Sequence, residues 1–225
     1  MKLLEVIVTC LEEAKQAEQG GANRLEVVRD LQHEGLTPAC GLVEAILNAV
    51  SIPIRVMLRE TPNFFINSVD ELALLKTTAA HLAQLPIGGF VLGFLNGCSL
   101  DISALQAVLQ EAGSHPITFH RAFEQVSDQT AAIEELKRHP KIDRILVNGG
   151  LGSWHEKRRT LDRLQRIAGP EIAIVAGGGL TEDSLRILSE SPHLNEFHVG
   201  KAARDADGRV VSARVAWLRQ LLDAQ

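Results

Sequence analysis

The sequence predicts one TIM-type (β/α)8 barrel, and three observations carry that prediction. Eight short β-rich apolar runs recur along the 225 residues, helical patterns separate them, and most of the strands are apolar on one face only. Alternating strand and helix units pair their strands in parallel. A barrel of this kind uses a chain of such length as a single domain, expected here to be residues 1–225. No Gly/Ser-rich linker or low-complexity tract divides it.

The first run, Leu3–Val8, precedes a helical pattern over Leu11–Gln19 that Gly20 closes. Arg24–Val28 is followed by a helix over Leu42–Val50, and Ile54–Leu58 by the long pattern Val69–Leu85. Gly89–Gly93 leads to Ile102–Ala112, with Gly113 just past its end. Ile117–His120 leads to Gln129–Arg138, which Asp128 opens as a side-chain cap. Arg144–Val147 precedes Lys157–Ala168, and Ile172–Ala176 precedes Glu182–Ser189, opened by Thr181 with Asp183. Glu196–Val199 and a helix over Ala213–Leu222 complete the series.

Successive strand residues face opposite ways. Leu4, Val6 and Val8 therefore oppose Leu3, Glu5 and Ile7, and Leu25 and Val27 oppose Arg24, Glu26 and Val28. Ile54, Val56 and Leu58 oppose Arg55, Met57 and Arg59, while Ile117 and Phe119 oppose Thr118 and His120. Ile145 and Val147 oppose Arg144, Leu146 and Asn148, and Phe197 and Val199 oppose Glu196 and His198. An open doubly wound sheet, the rival architecture, is covered by helices on both sides and is apolar on both faces. A closed barrel accounts for the asymmetry, since its outer face meets helices while its inner face can end in a polar pocket.

Hydrophobic residues at 45% and charged residues at 23% suit a globular chain with a sizeable core. A net charge of -5 and the absence of a basic run interleaved with aromatics exclude nucleic acid as an expected partner. The amino-terminal apolar run is interrupted by Glu5, and Pro86–Leu100 falls short of the roughly 20 apolar residues that span a bilayer. A soluble cytoplasmic protein without membrane partners is expected. The three cysteines, Cys10, Cys40 and Cys98, fit neither a disulfide framework nor a CxxC site, and are expected to be small buried hydrophobes.

In a barrel, Glu5, Glu26, Arg59, His120, Asn148 and His198 converge on one axis from six strands. Buried charges need partners, water or a ligand. Two readings follow: a self-satisfied network of Glu–Arg and Glu–His pairs plugging the barrel, or a site. As a site, Glu5, Glu26, Arg59, His120 and His198 are the candidate catalytic residues and Asn148 a pocket residue, because barrel sites lie at the strand carboxyl ends. Arg121, of opposite parity to His120, is expected to turn back onto Glu124 or another carboxylate. IVAGGGL ends the seventh strand with Gly177, Gly178 and Gly179, and HVGKAA ends the eighth with Gly200 and Lys201. Adjacent glycine-bearing loops can present N–H groups to a small anion, with Lys201 adding charge and Arg59 reaching from across the mouth. The same glycines also suit ordinary tight turns. An enzyme of lyase or isomerase type, using acid/base chemistry on a small phosphorylated metabolite, is one functional expectation; a non-catalytic metal carrier is another.

LLEV, GGANRLEVV, EGLTPACGLV, VMLR, TFHRAFE, RILVNGG, VAGGGLTEDSL and EFHVGKAAR together resemble the CutC family over nearly the whole chain. The resemblance implies a TIM barrel, a cytoplasmic location, a homodimer or higher homo-oligomer, and a role in copper homeostasis with Cu(I) binding. Two cysteine positions that it implies are here Ile7 and Val28, and of an implied RPRGGDF loop only Arg59 remains, followed by Glu60, Thr61, Pro62, Asn63, Phe64 and Phe65. Cu(I) prefers thiolate and thioether donors, so Cys10 and Cys40, in neighbouring units, are the remaining soft pair. The carboxylates and histidines suit a harder or borderline divalent ion.

Overall fold

In the computed structural model, which describes residues 2–224, eight parallel strands close into a barrel. In chain order the strands are β1 (Leu3–Val8), β2 (Arg24–Val27), β3 (Ile54–Met57), β4 (Gly89–Leu92), β5 (Leu95–Asn96), β6 (Ser99–Leu100), β7 (Ile117–Phe119), β8 (Ile142–Val147), β9 (Ala173–Ala176) and β10 (Glu196–Val199). The barrel order is β1, β10, β9, β8, β7, β4, β3, β2, and β5 and β6 form a separate antiparallel hairpin. Around it run α1 (Leu11–Gln19), α2 (Cys40–Leu47), α3 (Val69–Leu82), α4 (Ile102–Glu111), α5 (Gln129–Lys137), α6 (Trp154–Ala168), α7 (Glu182–Ser189) and α8 (Ser212–Asp223). Each expected strand and helix is present, with ends shifted by a few residues. The hairpin has no counterpart among the sequence expectations, because two-residue strands leave no periodicity to read.

Local chemistry fixes the helix starts. The side chains of Ser68, Asp101, Asp128, Ser153 and Thr181 accept hydrogen bonds from backbone N–H groups of their helices' first turns, satisfying donors that a helix start leaves free. Thr181 forms a reciprocal capping box with Ser184, the residue after the Asp183 that the sequence pointed to.

Burial follows the strand parity. Leu4, Val6, Val8, Leu25, Val27, Phe119 and Phe197 are fully enclosed in the main core beneath the helices. Inside the barrel, Ile7, Val28, Met57 and Val91 form a second, small apolar cluster. At the amino-terminal ends of the strands the interior is ionic instead. Arg24 Nη2 donates to Glu196 at 2.7 Å, Arg144 Nε to the same carboxylate at 2.6 Å, and Arg55 Nη2 to Asp143 at 2.7 Å. Arg55 also donates to Thr118 Oγ1, and Arg144 pairs with Asp143. This network is a closed floor.

The cysteines do not behave as expected. Cys10 and Cys98 are exposed, since Cys10 sits at the loop residue before α1 and Cys98 at the tip of the β5–β6 hairpin, where no core face is available. Cys40 opens α2 and is half-buried against the core.

Candidate functional site

A cavity of about 760 Å³ opens at the carboxyl ends of the strands, the position where barrel enzymes place their sites. Glu26 from β2, Arg59 just beyond β3, His120 just beyond β7 and His198 from β10 all line it. Glu5 lies beneath, 1% exposed, and reaches the cavity only through His198. His198 Nδ1 is 2.8 Å from Glu5 Oε1 and its Nε2 is 3.3 Å from Glu26 Oε2. Glu5 in turn accepts from Arg24, the residue that joins the chain to the floor. The result is a series Arg24, Glu5, His198, Glu26, ending on Glu26 Oε1, which is buried and has no hydrogen-bond partner among the described residues.

The two carboxylates have opposite fates. Burial and the nearby Glu5 charge push Glu26 up to about 7, against the attraction of His198 and Arg59. Burial also opposes ionisation of Glu5, but Arg24 and His198 outweigh it and hold the group below the ordinary carboxylate range. For His198, burial works against protonation while the carboxylates of Glu26 and Glu5 outweigh it, raising its pKa. Two titratable neighbours driven apart in this way are the pattern of an acid/base site.

His120 is held neutral. Burial, aided by the positive charge of Arg59, pushes it down to about 3. Its Nδ1 accepts from the Ala122 N–H at 3.2 Å, so the ring proton resides on Nε2, a buried donor without a partner. Phe64, from the loop after β3, lies 5.1 Å from the His120 ring and 5.2 Å beneath the Arg59 guanidinium. Arg59 itself is 5% exposed, donates from Nη2 to the His33 carbonyl, and leaves Nε unpartnered. Among the described residues no carboxylate lies within ion-pair distance of it.

Other site expectations resolve differently. Asn148 does not line the cavity: its Oδ1 accepts from the Gly150 N–H at 2.7 Å and its own N–H donates to Glu124 at 3.0 Å, so it braces the β8 loop. Gly177 is a packing residue, since a Cβ there would lie 2.5 Å from Leu146 Cδ1 and 3.2 Å from His198 Cβ. Gly178 (φ 79°) and Gly179 (φ 88°) are left-handed and line the mouth together with Gly200 and Lys201. Arg121 does turn onto Glu124, in a two-point contact of 2.8 and 3.0 Å, but it also lines the cavity and donates to Glu34 at 2.9 Å. Arg121 as a cavity residue and Glu34 were not legible from the sequence, because Glu34 arrives on a loop whose path no periodicity reports.

Among the described residues, Glu5, Glu26 and His198 are the one group of three His, Cys, Asp or Glu residues with ligand atoms within 4.8 Å of one another. No cysteine belongs to it. Its oxygen and nitrogen donors do not fit Cu(I). Ile7 and Val28, standing where cysteines were implied, are buried in the inner apolar cluster. Both ring nitrogens of His198 already face carboxylates, Nδ1 in a hydrogen bond to Glu5 and Nε2 at ion-pair distance from Glu26.

The CutC family model matches residues 2–203. A copper homeostasis protein cutC homolog of Homo sapiens is 32% identical over 216 residues, covering 95% of this chain and 79% of that one. A family protein CutC of Xanthomonas axonopodis pv. citri is 30% identical, covering 97% of this chain and 90% of its own length. The crystal structure of a copper homeostasis protein CutC from Streptococcus agalactiae superposes with a TM-score of 0.79 at 25% identity, over 88% of this chain and 98% of that one. With the barrel, its polar mouth and these matches in agreement, the chain belongs to the CutC family.

Proposed function

We propose that this CutC family protein binds a small organic anion at the barrel mouth and moves a proton on it, with Glu26 as the acid/base group and His198 as its partner. The observation that carries the reading is the terminal atom of the series: Glu26 Oε1, buried and unpartnered beyond Arg24, Glu5 and His198. A carboxyl group poised near neutrality exchanges protons in both directions, which is the optimum for general acid/base catalysis at physiological pH. Neutral His120 supplies a fixed Nε2–H donor for a carbonyl or hydroxyl oxygen, and Arg59 supplies a buried cation without a carboxylate partner. A buried cation of that kind favours an anionic ligand. Lys201 and the N–H groups of the Gly178–Gly179 and Gly200 loops add positive potential at the rim. The reaction class is lyase or isomerase chemistry, in which a C–H proton is taken beside a carbonyl and returned or a leaving group expelled. Copper enters this reading as the physiological context of the family name and as no part of the chemistry, because the donor set does not suit Cu(I).

The test is proton exchange. The purified protein, incubated in D2O with a panel of small phosphorylated and carboxylated carbonyl compounds, should catalyse deuterium incorporation detected by NMR. Glu26→Gln should abolish the exchange and Cys10→Ser should leave it intact. Absence of exchange across the panel, together with no ligand-induced rise in Tm, would sink the proposal.

A further inference from the structure

We propose, resting on that small-anion reading, that the ligand's anionic group binds between Arg59 and Arg121, in the place that the Glu34 carboxylate takes in the free protein. Glu34 is then a resident competitor, built into the chain.

The geometry begins with Arg121. Glu124 holds its Nε and Nη2 at 2.8 and 3.0 Å, which fixes the guanidinium plane and turns Nη1 to the cavity, where Glu34 Oε1 accepts at 2.9 Å. An arginine whose fork is immobilised in this way meets an oxyanion without further loss of rotamer freedom. Gly178 belongs to the same arrangement. A Cβ on it would come within 2.9 Å of Asn148 Cβ, 3.1 Å of Arg121 Nε and 3.3 Å of Cζ, so the glycine lets the loop pack closely against both Asn148 and the Arg121 guanidinium. Arg59 completes the pair from the other wall. It is buried and has an unpartnered Nε, and the charge of Glu34 acts on both guanidinium groups.

Glu34 is delivered by a short strap that begins and ends in hydrogen bonds between Arg29 and Leu36. Within it, Asp30 (φ 55°) and Glu34 (φ 61°) both adopt left-handed backbone, which non-glycine residues rarely do. Its side chain is 57% exposed, so the contact it makes with Arg121 is one that a ligand carboxylate or phosphate can replace. Leu31 and Gln32 of the same strap line the cavity, which places the strap over the bound ligand.

The experiment is calorimetric titration of the full chain at low ionic strength with inorganic phosphate and, separately, acetate. Glu34→Gln removes the resident charge with no change of shape and should tighten phosphate binding about twofold to fivefold, the range for loss of an exposed competing ion pair. Arg59→Met should weaken binding by about tenfold. Adding Arg121→Gln to Glu34→Gln should erase the gain. Should an arginine variant fail to fold, Glu34→Gln alone decides, because its side chain is largely exposed. Phosphate binding that ignores Glu34→Gln and vanishes in Lys201→Ala would move the anion to the glycine loops, overturning this assignment while leaving the proposed function standing. No binding of either anion by the wild type and Glu34→Gln would overturn it as well, and deuterium exchange on an uncharged carbonyl compound would then show that the proton-transfer reading survives.

Discussion

Glu5 and Glu26 stand on neighbouring strands and contact the same imidazole, yet only Glu5 has an arginine against it. That single difference separates a fixed anion from a group able to take up a proton. It also sets a pH dependence. Glu26 has a folded pKa of about 7, above its ordinary value of 4.5. Its contribution to stability is therefore complete below the unfolded pKa and lost as pH rises through 7. His198 is raised too and acts in the same direction. His120, lowered from 6.5 to about 3, acts oppositely: its contribution is present above 6.5 and lost as pH falls toward 3. Urea denaturation across pH should show the stability of wild type relative to Glu26→Gln falling by on the order of 2 kcal/mol between pH 4.5 and 8. A flat difference would mean that Glu26 is not protonated in the folded protein. His120→Asn, which keeps the side-chain acceptor for the Ala122 N–H, should lose less stability than wild type on acidification from pH 6.5 to 4. A third expectation concerns Ile7 and Val28, whose aliphatic side chains cannot bind Cu(I). Anaerobic titration against a competing chelator should find no tight one-to-one Cu(I) complex, and one that persisted after replacement of Cys10 and Cys40 would refute the donor argument.

At the scale of elements, what was legible depended on regularity. The strands announced themselves through two-residue parity, which also put Glu26, Arg59, His120 and His198 on the inner face. Parity did not show that Arg24, Arg55, Arg144 and Glu196, on the same inner face, sit one layer lower and form ion pairs that also draw in Asp143, because layer height depends on barrel stagger. Nor did it show that Asn148, past the end of β8, bends back to its own loop. The loops that bring Glu34 and Phe64 to the mouth have no period at all. The glycines after β9 illustrate the limit best: an anion cradle and a close-packing turn leave the same three letters, and only the surroundings tell them apart. Gly177→Ala should cost about 1–3 kcal/mol through overpacking against Leu146 and His198. Gly178→Ala should cost about 1–2 kcal/mol from its left-handed backbone, and should press on Asn148 and Arg121, whose Cβ and Nε would lie 2.9 and 3.1 Å from the new Cβ. Thermal unfolding of both variants checks the order of effect. Gly179→Ala separates the causes, since no atom lies within 4 Å of its Cβ position and only the backbone term remains.

For the molecule as a whole, the barrel interior is a column: the ionic floor at the strand starts, Glu5 and His198 above it, then Glu26 and the open cavity. Arg24 is the joint of this column, because one guanidinium, 4% exposed, serves Glu5 above and Glu196 below. Removing one partner of a buried ion pair leaves an uncompensated charge and typically costs about 3–5 kcal/mol. Arg24→Met should therefore destabilise the protein by about that amount in urea denaturation, well beyond the effect of Arg138→Ala at the exposed pair with Glu135, where about 0–1 kcal/mol is expected. The consequence also travels upward. Without Arg24, Glu5 loses the first of the influences that hold it ionised, and the carboxylate that orients His198 Nδ1 becomes easier to protonate. His198 also loses a neighbouring cation that opposes its protonation, so it would titrate at higher pH in the variant than in wild type, measurable from the pH dependence of its imidazole carbon–proton NMR resonances. Loss of stability without movement of that titration would make Arg24 a structural residue of the floor alone, whereas both changes together would show that the floor tunes the site above it.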